Sequence, residues 1–133
     1  MSKVANKLNL SAVGRVCVTV SDTDRAIDFY VDTLGFEKVV DVPMGPGMRW
    51  VEVAIRDSKT TIALAPPPEG KEAGGAETGI ILDTSDVEAD HAALKAAGAD
   101  ADDEISRMGD PVPPMFWLRD PDGNSLIVVD PGR

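Results

Sequence analysis

The strongest constraint on this chain is that its pattern occurs twice. Ser21 and Asp22 precede an apolar periodicity of Ile27, Tyr30, Val31 and Leu34 that stops at Gly35, and Ser85 and Asp86 precede Val87, His91 and Leu94 before Gly98. Ser and Asp carry the side-chain oxygen that caps the first free amides of a helix, and glycine supplies the left-handed residue that ends one. The two intervals from capping Asp to terminal Gly differ by one residue. Further on, Pro46, Gly47, Met48, Arg49, Trp50 is echoed by Pro113, Pro114, Met115, Phe116, Trp117, with Met and Trp at a constant offset. Self-similarity of this kind specifies two copies of one supersecondary unit.

The unit can be read from its first copy. Val16, Val18 and Val20 alternate with Arg15, Cys17 and Thr19, which predicts a half-buried strand before the helix. After the helix, Phe36 to Val42, Met48 to Ile55 and Thr60 to Leu64 read as three short strands joined by turns over Pro43 to Gly47 and near Asp57 and Ser58. The second copy offers a strand at Ile80 to Leu82, a poorly patterned acidic one near Ala101 to Arg107, and the arms Met115 to Leu118 and Leu126 to Val129. Between these arms lies Asp120, Pro121, Asp122, Gly123, Asn124. Pro121 presets φ for a type I turn, Asp120 can bond the turn backbone, and Gly123 closes it as a left-handed bulge. The predicted class is therefore α+β. A single domain, 1–133, consists of β-α-β-β-β modules at 13–65 and 79–130, and the Pro-, Gly- and Glu-rich run 66–78 links them.

Composition narrows the setting. With 133 residues the chain can bury a substantial core, and its single Cys17 has no partner for an intrachain disulfide. Met1 to Gly14 reads as a polar arm without the apolar stretch of a signal peptide or membrane span, so a reducing, cytoplasmic location is expected. A net charge of −10 argues against nucleic acid and anionic membrane, which need clustered Lys and Arg, and allows a cationic ligand.

The repeated modules, the segment Asp22 to Gly35 with Phe29, Tyr30 and Leu34-Gly35-Phe36, and the Asp120 to Asn124 turn together resemble the vicinal oxygen chelate superfamily. That superfamily includes glyoxalase I, extradiol dioxygenases, methylmalonyl-CoA epimerase and the bleomycin-resistance binding proteins. The resemblance implies paired, curved mixed sheets around a cleft with helices outside, and a homodimer. It also implies, for the metal-dependent members, ligands on the first and last strand of each module. Carried onto this chain, those positions are Arg15, Ala63, Gly79 and Ile127, none of which binds a metal. One-residue shifts give only apolar side chains, and the single His91 lies on the second helix, where packing or a surface role is expected.

Strand parity, with Val51, Val53 and Ile55 facing the helix, turns Met48, Trp50 and Glu52 toward the cleft. By the repeat, Met115, Trp117 and Arg119 do the same, with Arg15, Thr19 and Asp83 as further polar candidates. Trp50 and Trp117 serve either recognition or packing, and Glu52 could pair with Arg119. These nine residues suit a planar or amphipathic organic molecule. The expected function is a metal-free small-molecule-binding protein of the bleomycin-resistance kind, with no catalytic residue and no cofactor. The alternative is a metal-dependent lyase of the lactoylglutathione type, an isomerase or a dioxygenase. It would need a divalent metal on displaced ligands such as Glu52 or Asp83, or on residues of a partner chain.

Overall fold

A computed structural model describes residues 7–132. The part of the expected polar arm over residues 1–6, with Lys3, lies outside the described residues, as does Arg133. Among the described residues, eight strands form two four-stranded sheets. In the first, β1 (Arg15–Thr19), β2 (Glu37–Pro43), β3 (Arg49–Ala54) and β4 (Thr61–Ala65) are ordered β1-β4-β3-β2. The second contains β5 (Glu77–Asp83), β6 (Asp100–Ala101), β7 (Met115–Arg119) and β8 (Ser125–Val129), ordered β5-β8-β7-β6. In both, the first strand runs parallel to the last and the other pairs are antiparallel, so the repeat in sequence is a repeat in topology.

Both helices start where the capping residues stand. Asp22 accepts from the Arg25 amide (3.1 Å) at the head of α1 (Thr23–Ile27), and Asp86 accepts from the Ala89 amide (3.0 Å) at the head of α2 (Val87–Ala96). Gly35 and Gly98, at φ of 78° each, end them. The first helix differs from the regular period expected of it. Beyond Ile27 it widens into π-type turns over Asp28–Thr33, in which the Leu34 amide reaches back to the Phe29 carbonyl (3.0 Å). The buried stripe becomes Ala26, Phe29 and Tyr30, while Ile27, Val31 and Leu34 are half-buried. His91 on α2 is a packing residue, with its ring edge-on to Phe116 at 5.0 Å and Nε2 2.7 Å from the Asp102 carbonyl oxygen.

The buried faces of both sheets and both helices merge into one apolar core. Val18, Val51, Val53, Ile62 and Leu64 of the first sheet join Phe29 and Tyr30, and Phe116, Leu118, Leu126 and Val128 of the second join Val87 and Leu94. Two strands correct the expectation. The acidic stretch near Ala101 to Arg107 contributes only Asp100–Ala101 and an isolated Ser106–Met115 bridge, because Ile105 is its one β-branched residue and Asp102, Asp103 and Glu104 disfavour a longer strand. Ile55, expected on the helix face, lies past the end of β3 and is exposed.

The Asp120 to Asn124 turn forms as its residues dictate, and it also fastens the modules together. Asp120 Oδ1 accepts from the Asp122 and Asn124 amides (2.9 Å each), and Gly123 takes φ of 80°. Asp120 Oδ2 accepts from the buried Tyr30 hydroxyl (2.9 Å) and from Asn124 Nδ2 (2.9 Å), and the latter also donates to the Thr19 carbonyl (2.9 Å). The Ser21 hydroxyl donates to Asp122 Oδ1 (2.6 Å), and the linker crosses here, with the Gly75 amide donating to the Asp122 carbonyl (2.9 Å).

Candidate functional site

Each sheet has one face in the core and one turned away from it, and the candidate residues divide between these outer faces. In the first sheet the register aligns Cys17 with Ala63, Ala63 with Glu52, and Glu52 with Val40, while Arg15 stands opposite Thr61 and Trp50 opposite Val42. At the centre of this face Glu52 is buried among donors. Its Oε1 accepts from the Thr61 hydroxyl (2.6 Å), and its Oε2 accepts from the Trp50 indole (2.6 Å) and lies 3.4 Å from Arg15 Nε. The Thr61 hydroxyl and then the Trp50 indole hold its carboxyl below the usual range, against the opposing pull of desolvation. A donor on each oxygen and a guanidinium nearby favour the charged form, so the site keeps a carboxylate whose charge is already answered.

The second sheet is built differently. Ile81 stands opposite Ile127, which stands opposite Trp117, and Met115 lies across from Val129, so this outer face is mainly apolar. Arg119 does not pair with Glu52. Its Nη1 donates to Asp102 (2.9 Å) and its Nη2 to Asp100 (3.0 Å), an arrangement that ties β7 to its neighbouring edge. Among the described residues no hydrogen bond or ion pair joins the Trp50 set to the Trp117 set.

Three other candidates fall elsewhere. Thr19 is a fastening residue, since its hydroxyl accepts from the Gly74 amide (2.9 Å) and its carbonyl from Asn124. Met48 precedes β3 in a turn, where its amide donates to the Gly45 carbonyl (3.1 Å), and it is exposed. Asp83 ends β5 and borders two cavities of about 290 and 250 Å³ on the helix side between the modules, both of which also touch Phe36, Ile55 and Leu82. Thr61, a hydrogen-bond partner of Glu52, is not among the expected residues, although alternation along β4 with Ala63 puts it on this face. Cys17 shares the face, exposed, with desolvation by its neighbours raising its thiol above the ordinary value.

At the four positions that the resemblance leads one to expect as ligand positions stand Arg15, Ala63, Gly79 and Ile127. A guanidinium, two residues without side-chain donors and an isoleucine do not form a coordination set, and no three His, Cys, Asp or Glu among the described residues come together as one. Among the described residues no helix is long and apolar enough to cross a membrane.

A member of this fold from Sphaerobacter thermophilus superposes with a TM-score of 0.82 at 35% identity, covering 91% of this chain and 98% of that one. TnmS3, an antibiotic binding protein from a Streptomyces species, superposes with a TM-score of 0.81 at 34% identity over 94% of this chain and 99% of its own. YetH of Bacillus subtilis is 27% identical over 126 residues, 91% of this chain and 99% of that protein. With its topology repeated across both modules and residues 12–128 matching the family pattern, the chain belongs to the Glyoxalase/Bleomycin resistance protein/Dioxygenase superfamily.

Proposed function

We propose that this protein binds a planar, amphipathic small molecule on the outer face of its first sheet and sequesters it without a metal and without chemistry. The observation that carries this reading is the Trp50 indole, half-buried and held by a 2.6 Å hydrogen bond to Glu52, which offers an oriented aromatic surface on an otherwise small-residue face. Similarity to an antibiotic binding protein at 34% identity supports the same class of ligand. We place the protein in the cytoplasm as a homodimer. The lone cysteine supports the first, and Ile81, 57% exposed on the edge strand β5, supports the second.

A thermal-shift screen of aromatic natural products, run with and without EDTA, tests this. A ligand that binds only the native state raises the melting temperature. Compounds should do so equally in both conditions and lose their effect in Trp50→Ala. The reading falls if Ni, Zn, Mn or Fe(II) alone raises the melting temperature with one metal retained per chain, or if every active compound requires metal.

A further inference from the structure

We propose that the first-sheet site selects planar aromatic anions and that Arg15 is the residue that recognises them, a refinement that rests on the binding function proposed above. The chain carries a net charge of −10, and a carboxylate stands at the centre of the face, so a cationic ligand is the naive expectation. The geometry points the other way. Both Glu52 oxygens are engaged, by Thr61 on one and by Trp50 and Arg15 on the other, and its side chain is 10% exposed. A ligand ammonium would have to displace those donors and strip its own water to reach a charge that is already compensated.

Arg15 presents the opposite case. Its side chain is 60% exposed, and its only ion-pair contact among the described residues is made through Nε, at 3.4 Å from Glu52 Oε2. The two terminal nitrogens, a fork suited to a carboxylate or other planar oxyanion, make no hydrogen bond among the described residues. Glu52 therefore holds two groups at once, the Trp50 ring by its indole N–H and the Arg15 guanidinium by Nε. A flat ring lying against Trp50 with an anionic substituent toward Arg15 uses both.

Isothermal titration of three matched probes, naphthoate, naphthalenemethanol and naphthylmethylammonium, at neutral pH and low salt decides the point. Naphthoate should bind about tenfold more tightly than the alcohol, with the ammonium weakest, and added salt should erode that advantage. Arg15→Gln should bring naphthoate to within about twofold of the alcohol. It should weaken naphthoate much more than the alcohol while the chain stays folded, since Trp50 and Thr61 still hold Glu52, and Arg15→Lys should restore part of the preference. Ammonium binding as tight as naphthoate, or an anion preference that survives Arg15→Gln, overturns the assignment while leaving small-molecule binding intact. Failure of all three probes to bind the wild type overturns the assignment and the binding function together.

Discussion

Tyr30 and Glu52 each gather a short polar network inside otherwise apolar surroundings, and each makes a measurable claim. Tyr30 is fully buried with its hydroxyl on Asp120, and burial together with that carboxylate pushes the phenol far above its ordinary range, so it remains a donor. Tyr30→Phe should cost about 1–2 kcal/mol in urea unfolding with unchanged far-UV circular dichroism, because Asp120 Oδ2 keeps Asn124 as a donor. A loss below the error of the measurement would show that the bond is idle. Glu52 titrates below its unfolded value, so its pairing stabilises the fold above the ordinary Glu range, near pH 4.3, and that contribution fades as pH falls through its lowered titration. Glu52→Gln should therefore flatten the acid limb of the stability curve below about pH 4, and parallel limbs for the two proteins would refute this. The alternation Arg15, Cys17 and Trp50, Glu52 was enough to place these side chains on one face, whereas Thr19 went to the linker. It could not choose partners, since parity gives a face but not which strand lies beside which, and Arg15 rather than Arg119 proved to be the residue next to Glu52.

At the scale of elements, caps and turn residues were the most legible features because their chemistry is local: Asp22, Asp86, Gly35, Gly98 and Gly123 act as their residue types require. The π-type turns over Asp28–Thr33 were not, since Ile27, Tyr30, Val31 and Leu34 satisfy a regular helix equally well, and packing kept Tyr30 but buried Ala26 and Phe29 in place of the others. The linker is a second case. Its composition announced an irregular segment but not that Gly74 passes against Asp122, where an added methyl would overlap the main-chain oxygen and Cβ of that residue. Gly70→Ala and Gly74→Ala form a matched pair at φ of 80° and 81°, and only the second meets another part of the chain. Gly70→Ala should cost about 1–2 kcal/mol from its backbone alone, and Gly74→Ala about 1–3 kcal/mol more. Equal losses would mean that the linker can move aside without penalty.

For the whole molecule, the repeat disclosed two modules but not how they share an interior. Periodicity is silent on contacts between distant segments, and the single core containing both Leu64 and Leu118 became visible only in three dimensions. A shared core implies one cooperative transition. Trp50 lies in the first module and Trp117 in the second, so Trp117→Phe and Trp50→Phe leave one fluorescent reporter in each. Their urea midpoints, each compared with circular dichroism of the same variant, should coincide. A midpoint that separates from its own dichroism trace would mean that the modules unfold independently.

The hydrogen bond between Tyr30 and Asp120 spans ninety positions of the chain. A ribosome adding about 5–20 residues each second leaves the first helix without its buried partner for roughly 5–20 s. During that interval β1 and β4 can close the first sheet, but the face of Tyr30 that will meet the second module stays wet. The native core is thus completed only after the Asp120 to Asn124 turn has cleared the exit tunnel, and the nascent chain must stay soluble through that wait.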